Sequence, residues 1–167
     1  MQKTHGMNVG KREGVLQNRL LQWLLHRWFL LTRAMTMGVR AIVLDGEDRV
    51  LLVEHTYTPG WHLPGGGIEI GETVLDALAK ELREEAGVEL TGPALLHGVF
   101  FNLDMARRDH VIAFVVRDFV WAGPPQPTWE IRAARFFALD DLPADTTNAA
   151  RARLAEVLAD VPPGPFW

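Results

Sequence analysis

The sequence predicts an α/β fold in which a mixed β-sheet carries helices on its faces. Two observations support this: short apolar runs rich in Val, Ile and Phe that are typical of strands, and amphipathic stretches with helical periodicity interspersed among them. The 167 residues favour one principal domain, and an apolar content of 48% with 23% charged residues is typical of a globular chain. We therefore expect a layered α/β sandwich with its own core.

The N-terminal region is expected to lie outside this sandwich. Residues 1–14 are polar and predict a disordered tail, whereas residues 15–34 predict an extra apolar helix. Charged residues such as Arg19 and Arg27 keep its apolar runs short, so a membrane span is not expected, and no cleavage site of a signal peptide is evident. Three roles stay open for this helix: packing on its own domain, forming a homodimer, or contacting a membrane surface as a peripheral amphipathic helix.

The strands and the last helix follow in order along residues 35–167, the predicted main domain. Residues 39–44 and 50–53 flank a turn at 45–48 and predict a hairpin. Further strands are predicted at 94–101, 110–119 and, beyond a proline-rich loop, 135–139. A closing helix is predicted at 149–158, with Leu154, Val157 and Leu158 facing inward.

The central helix has clear start and stop signals. Thr73, followed three residues later by Asp76, resembles a capping box, and Gly87 is suited to the position just past the last turn. Ahead of it lies the glycine loop (residues 63–67), where the lack of Cβ atoms lets the backbone approach a ligand closely. The helix is expected to bury one apolar stripe, formed by Leu75, Leu78, Ala79, Leu82 and Ala86.

The same helix carries an acidic cluster. Glu81, Glu84 and Glu85 fall within an arc of roughly 100° on a helical wheel. Like charges at this spacing repel by a few tenths of a kcal/mol per pair, so the cluster indicates a bound cation, with a solvated acidic face as the alternative. Carboxylates without Cys or His among them form a hard, all-oxygen site that suits Mg²⁺ or Mn²⁺ rather than zinc or copper.

The stretch from Gly66 to Val88 resembles the signature of the Nudix hydrolase family, G-x5-E-x7-R-E-U-x-E-E-x-G-U, where U is aliphatic. It departs once, because Lys80 stands where the family has Arg. The resemblance implies an α/β/α sandwich and a Mg²⁺- or Mn²⁺-dependent hydrolysis of a nucleoside diphosphate linked to another moiety, X. The products would be a nucleoside monophosphate and phosphorylated X.

The resemblance also implies roles for individual residues. It makes Glu81, Glu84 and Glu85 metal ligands, together with the backbone carbonyl of Gly65. The family's Arg braces the loop and helix against an acidic neighbour. We expect Lys80 to do so with Glu72, as a point charge in place of a bidentate fork.

The general base is not determined by the motif. Glu81 and Glu84 are candidates within it. Glu130 is a candidate outside it, either as the base or as a further metal ligand, and an exposed carboxylate at a strand edge is the alternative.

Residues near the glycine loop are candidates for substrate contacts. Tyr57 or Trp61 could stack on a base or ribose, although Trp61 could equally belong to the core beneath the loop. His55 and His62 lack the spacing of a zinc pair on a helix and are interpreted as ordinary polar loop residues.

A basic turn offers further candidates. Arg107 and Arg108, with His110 at a strand start, could contact the phosphates or X, and a solvated turn is the alternative for the two arginines.

Charge and composition limit the classes of substrate and partner that we expect. A net charge of −4 provides no general attraction to nucleic acid, which favours a small nucleotide substrate and disfavours a 5′-end RNA pyrophosphohydrolase. The absence of Cys excludes disulfides and thiolate metal sites, and a cytoplasmic enzyme is expected. A nucleotide sugar or an ADP-ribose-like compound is the favoured substrate. A pyrophosphohydrolase that sanitises the nucleoside triphosphate pool, or a non-catalytic nucleotide-binding scaffold, is the alternative.

Overall fold

The computed structural model describes residues 34–103 and 107–167, together with five N-terminal residues, 22, 23, 25, 27 and 28. The chain divides into two compact units, Met1–Met35 and Thr36–Trp167. The five described N-terminal residues are helical. The predicted tail at 1–14 and most of the predicted helix at 15–34 lie outside the described residues, so the dimer and membrane contacts considered for them stay predictions. No helix within the described ranges combines the length and the apolar character that a membrane crossing requires.

Within its described residues, the second unit contains eight strands and two helices. In chain order they are β1 (Thr36–Val43), β2 (Val50–His55), β3 (Trp61–His62), α1 (Val74–Ala86), β4 (Val88–Leu90), β5 (Leu95–Asn102), β6 (Asp109–Val116), β7 (Phe119–Trp121), β8 (Ile131–Phe137) and α2 (Asn148–Ala159).

The strands form a mixed arrangement. One sheet has the order β1-β6-β5, with β1 parallel and β5 antiparallel to β6. A second has the antiparallel order β3-β2-β8, and β4 pairs with β7. The predicted run at 110–119 is divided, because β6 ends at Val116 and the carbonyl of Asp118 turns to accept a hydrogen bond from the N–H of Thr91.

The predicted hairpin at 39–53 is wrong, although its turn forms. The carboxylate of Asp45 accepts hydrogen bonds from the N–H groups of Glu47 and Arg49, at 3.0 and 2.9 Å. However, β1 pairs with β6, β2 pairs with β3 and β8, and a single bridge between Leu44 and Val50 connects the two strands. Both strands are apolar on both faces, so their pattern does not specify which neighbour each one pairs with.

Alternate residues of the central strands point to opposite faces, and each face packs against one helix. The core under α1 includes Val39, Ala41, Val43, Leu51, Val53, Leu78 and Leu82. The core under α2 includes Ile42, Leu44, Val50, Leu52, Leu63, Ala150 and Leu154. The predicted α/β/α sandwich is therefore confirmed.

Helix α1 begins and ends where its signals predict, but its buried face is rotated. Thr73 and Asp76 form the reciprocal capping box, and Gly87 ends the helix in the left-handed region at φ 65°. Leu75, predicted to be core, is 53% exposed, whereas Ala77 and Glu85 are buried. This rotation places the carboxylate of Glu85 under the glycine loop. The predicted stripe contained apolar residues only and therefore did not include Glu85, whose burial also buries a charged group.

Helix α2 also differs from its prediction. Leu154 is buried, but Leu158 is 54% exposed, and Arg153 is buried instead. The guanidinium of Arg153 lies 4.0 Å from the ring centroid of Phe100 and 5.6 Å from that of Trp167. These cation–π contacts, and a bidentate pair with Glu156 at 2.6 and 2.8 Å, compensate the buried charge.

Glu156 holds the C-terminal segment, and we therefore expect the free energy of unfolding of the protein to decrease in acid. Burial alone would raise the pKa of Glu156, but hydrogen bonds from Arg153, His97 and the N–H of Gly164 outweigh it and leave the pKa below its usual value. A lowered pKa means that the stability is present above the unfolded value near 4.5 and is lost as the pH falls through the folded value. We expect Glu156→Gln to lower the free energy of unfolding at pH 7 by about 2 kcal/mol and to flatten its decline in acid.

Urea denaturation at several pH values measures this effect. Glu89→Gln, at an exposed carboxylate on β4, is the matched control. An acid decline of equal size in wild type and Glu156→Gln would contradict the assignment.

Candidate metal and active site

The glycine loop lies directly beside β1. The N–H groups of Val39 and Ala41 donate to the carbonyls of Gly66 and Pro64, both at 2.9 Å. Gly65 adopts φ +138°, and a Cβ atom there would overlap the carbonyl oxygen of Val39. Glycine is therefore required for the close approach, which positions the loop backbone next to helix α1.

The three glutamates of α1 have different environments. Glu85 is 5% exposed, and its Oε2 accepts a hydrogen bond from the N–H of Gly65 at 2.7 Å. Glu81 is half-buried, with its carboxylate packed against the backbone of Gly66. Glu84 is exposed. The helix thus directs Glu81 and Glu85 toward the loop and leaves Glu84 at the solvent edge of the site.

Glu130 and His55 complete a tight cluster with Glu85. Ligand atoms of these three side chains all lie within 4.8 Å of one another, and His55 Nε2 is 3.8 Å from Glu85 Oε1. The hydroxyl of Tyr57 donates to Glu130 Oε1 at 3.1 Å. Glu130 therefore lies beside the helix carboxylates although it is 45 residues beyond Glu85 in the sequence.

The interpretation of His55 as an ordinary loop residue is wrong. It ends β2 and is 5% exposed, next to Tyr57 and His62, whose rings lie 5.2 and 5.3 Å from its own. The signal that could have identified it is a polar ring at the end of a strand whose first four residues are all buried.

Burial raises the pKa of two of these carboxyl groups. Burial raises the pKa of Glu85 to about 7, and the charges of Glu81 and Glu130 act in the same direction, against the N–H of Gly65 and the charge of Arg40. Burial also raises the pKa of Glu81. Carboxylates that are held together in a partly buried site form a donor set that fits a divalent cation.

Arg40 is a site residue that the sequence reasoning missed. Its guanidinium donates to the carbonyl of Gly65 and, at 3.3 Å, to that of Leu63. The carbonyl predicted to be a metal ligand thus already accepts a hydrogen bond in this structure. A single arginine within an apolar strand is the signal that could have identified Arg40, since buried charges normally have a partner or a function.

A cavity of about 730 Å³ opens beside His55, and none of the four glutamates of the site is among the described residues that line it. Arg40, His55 and Tyr57 form the wall that it shares with the cluster, and the N-terminus of α2 and Trp167 line it from other sides. Since α2 begins there, the positive end of its dipole lies at the cavity. Asn102 and the polar residues that precede α2 also line it and were not anticipated from the sequence.

Trp61 lies at the periphery of the core under α2, where its ring packs edge-on against Phe137 at 4.7 Å. Its backbone positions the start of α2: the N–H of Trp61 donates to Asp145, and its carbonyl accepts from the N–H of Thr147. Trp61 is not among the described residues that line the cavity. The core interpretation therefore agrees better with its position than stacking on a substrate.

The basic turn does not reach the cavity. Arg107 and Arg108 are exposed, and His110 lies on β6 with its ring 5.3 Å from that of Phe101. None of the three is among the described residues that line the cavity. A substrate contact by these residues stays a prediction.

Lys80 makes the contact with Glu72 that was expected of it. Its Nζ lies 2.8 Å from Glu72 Oε1 and 3.5 Å from Glu69 Oε1, and Glu72 Oε2 accepts from the N–H of Glu69 at 3.1 Å. The hydrogen bond between them lowers the pKa of Glu72 and raises that of Lys80. The pair thereby ties the segment after the glycine loop to the middle of α1.

We expect Lys80→Met to lower turnover by about tenfold, the lower end of the loss seen for groups that orient metal ligands, because the loop loses its tie to α1. Lys80→Arg should keep the wild-type rate or exceed it, since a guanidinium can contact Glu69 and Glu72 together. Steady-state kinetics of both variants in Mg²⁺ measures the difference. Equal rates for Lys80→Met and wild type would show that the pair has no role in positioning.

Comparison with known proteins agrees with the motif and the fold. Residues 35–159 match the family model of the NUDIX domain. The ADP-ribose pyrophosphatase of Methanocaldococcus jannaschii is 34% identical over 110 residues, which cover 62% of this chain and 64% of that protein. The chain thus matches just under two thirds of that relative's length.

Two solved structures share both sequence and fold with the chain. A MutT NUDIX hydrolase from Burkholderia pseudomallei is 32% identical with a TM-score of 0.61, covering 74% of this chain and 98% of that chain. An ADP-ribose pyrophosphatase from Streptococcus suis is 30% identical with a TM-score of 0.59, covering 76% of this chain and 92% of that chain.

Proposed function

This chain belongs to the Nudix hydrolase family, and on that premise we propose that it hydrolyses the pyrophosphate of a nucleoside diphosphate linked to a second moiety, X. The observation that carries this proposal is the position of His55, which belongs both to the acidic cluster and to the wall of the cavity. A substrate held in the cavity would extend past His55 to bring its phosphates to the carboxylates.

The cavity supports a substrate with a sizeable polar group on each side of the pyrophosphate. Its volume of about 730 Å³ lies within the usual range of small-molecule sites. Amide, hydroxyl and helix N–H groups line it beside the aromatic rings of Tyr57 and Trp167, which suits a ribose or sugar that carries hydroxyl groups. Two of the relatives described above are named ADP-ribose pyrophosphatases, and we propose an ADP-ribose-like compound or a nucleotide sugar as the substrate.

Glu85 and Glu130 would hold Mg²⁺ or Mn²⁺, with Glu81 next to them and Glu84 exposed to solvent. When bound, such an ion neutralises phosphate charge, lowers the pKa of a water ligand and stabilises the leaving phosphate.

The side chains around the site contribute positioning and proton transfer. Arg40 can exchange the carbonyl of Gly65 for a phosphate oxygen, because its guanidinium already faces the cavity. Glu81 is the favoured proton acceptor, since burial raises its pKa toward the value that an efficient general base needs. Tyr57, which is 62% exposed and hydrogen-bonded to Glu130, would cover the substrate next to the acidic residues.

A turnover panel tests the proposal. Purified full-length protein is incubated with ADP-ribose, several nucleotide sugars, dinucleoside polyphosphates and the common nucleoside triphosphates, each with Mg²⁺, Mn²⁺ or a chelator. We expect a nucleoside monophosphate to form from one of the linked diphosphates in the presence of metal. Pyrophosphate released from a triphosphate would instead identify a sanitising enzyme. Nucleotide binding without turnover under every condition would overturn the hydrolase assignment in favour of a scaffold.

We also propose that the protein acts in the cytoplasm on free nucleotides, where such substrates are found. A homodimer formed through the N-terminal helix is a separate prediction. Sedimentation of the full chain beside a variant that lacks residues 1–34 tests it, with loss of a dimer in the shortened chain as the expected result.

A further inference from the structure

We propose that His55 is a nitrogen ligand of the metal site, so that the site prefers Mn²⁺ and other first-row transition ions over Mg²⁺. The inference deepens the proposed function, on which it rests only for the location of the metal. It also changes the all-oxygen site that the motif implies, because the additional donor comes from β2, outside the motif.

The separations in the cluster suit a shared ion. Two ligand atoms at about 2.1 Å from one octahedral ion lie about 3.0 Å apart when adjacent and about 4.2 Å apart when opposite. His55 Nε2 and Glu85 Oε1 are 3.8 Å apart, within this range. All three ligand atoms, including that of Glu130, lie within 4.8 Å of one another, so small side-chain movements would bring them onto one ion.

Glu85 is oriented for such a role. Its Oε2 is held by the N–H of Gly65, which leaves Oε1 directed at His55. Glu130 is oriented in turn by the hydroxyl of Tyr57. Each carboxylate thus has a hydrogen bond that fixes its direction, as is usual for ligands supported by an outer shell.

His55 itself lacks the partners that a buried imidazole normally has. It is 5% exposed, and its Nδ1 is buried without a hydrogen-bond partner among the described residues. Its Nε2, at 3.8 Å from the nearest carboxylate oxygen, is too far away for a hydrogen bond. Nε2 is thus left to offer its lone pair to a metal ion, and Nδ1 then carries the proton of the ring.

The nature of the donor determines which ion is favoured. Mg²⁺ prefers oxygen ligands and gains little from imidazole, whereas affinity for mixed nitrogen and oxygen sites rises from Mn²⁺ through the later first-row ions. Removing His55 should therefore weaken the binding of Mn²⁺ more than that of Mg²⁺.

Metal binding without substrate tests the inference. Metal-free, full-length protein is titrated with Mn²⁺ alone, and electron paramagnetic resonance measures both the free ion and the ¹⁴N coupling of the bound ion; Mg²⁺ is measured by competition. In wild type we expect a ¹⁴N coupling. In His55→Gln it should disappear, and Mn²⁺ affinity should fall at least about tenfold, while Mg²⁺ affinity changes less than about threefold.

His62→Gln is the matched control, because its ring lies 5.3 Å from that of His55 in the same cleft while its Nε2 contacts the carbonyl of Pro59 at 3.1 Å. It should bind like wild type. Wild-type protein labelled with ¹⁵N-histidine provides a test that needs no variant, since a coordinated histidine would replace the ¹⁴N signal by a ¹⁵N signal.

Bound Mn²⁺ without nitrogen coupling in wild type would overturn the inference, as would equal losses of Mn²⁺ and Mg²⁺ affinity in His55→Gln. The outcome is separate from that of the turnover panel. If no substrate of the panel is turned over but the ¹⁴N coupling is present, the proposed function is overturned while the assignment of His55 as a nitrogen ligand stands.

Discussion

Replacing Glu85 by Gln is expected to reduce metal-dependent turnover by well over a hundredfold, more than the 10- to 100-fold loss that follows removal of groups that only orient metal ligands. The amide keeps the shape of the side chain and can still accept the hydrogen bond from the N–H of Gly65, so the loop should stay in place. What is lost is the negative charge next to His55 and Glu130. Steady-state kinetics and calorimetric titration with Mn²⁺ measure the two effects.

The same substitution should make the metal-free protein more stable at pH 8. The folded pKa of Glu85, about 7, lies above its unfolded value near 4.5, so its contribution to stability is present below pH 4.5 and is lost as the pH rises through 7. Glutamine does not ionise and removes this decline. Thermal unfolding in a chelator measures the difference, and Glu89→Gln on β4 is the control. Lower activity together with lower stability would indicate a folding defect rather than a lost ligand.

Gly65→Ala is expected to destabilise the fold by at least about 2–3 kcal/mol. The residue adopts φ +138°, where side chains are strained, and its Cβ would overlap the carbonyl of Val39 on β1. Because the position of the Cβ is fixed by its own backbone and the atom it meets is a backbone carbonyl oxygen, the overlap can be relieved only by moving the glycine loop away from the strand. Urea denaturation measures the loss, and activity should fall with it.

The next two glycines make this prediction specific. At Gly67 an added Cβ meets nothing within 4 Å, so Gly67→Ala should change stability by less than about 0.5 kcal/mol. At Gly66 the Cβ would meet the carboxylate of Glu81, the movable end of a side chain. Gly66→Ala should therefore retain most of the stability and lose activity as Glu81 is displaced. Equal destabilisation by all three substitutions would contradict the arrangement described for the loop.

The sequence was sufficient for α1 and for the type of site. Its capping residues act within one turn, so Thr73, Asp76 and Gly87 could be assigned without knowledge of the tertiary structure. The pairing of Lys80 with Glu72 could be inferred in the same way, because the family pattern specifies both positions. The segments that form the longer strands could also be predicted, since an apolar run is a local property of the chain.

Strand partners and buried charges were not predictable in this way. Nothing in the two-sided apolar pattern of β1 specifies that it pairs with β6, which is more than 60 residues away in sequence. Arg40 and Arg153 were missed because a charged residue in an apolar segment normally indicates exposure. Each is buried or directed inward because groups outside its own element accept its hydrogen bonds: the carbonyls of Leu63 and Gly65 for Arg40, and the carbonyl of Phe166 for Arg153.

The sequence by itself determined the family, the α/β/α layers and the acidic helix, because a motif of fixed spacing and a helical period are properties of consecutive residues. The tertiary structure alone decided that Glu130 lies beside Glu85, that His55 is inward and that a cavity opens next to them. These features depend on contacts between residues far apart in the chain. Such contacts follow from how complete layers pack, and no local pattern specifies them.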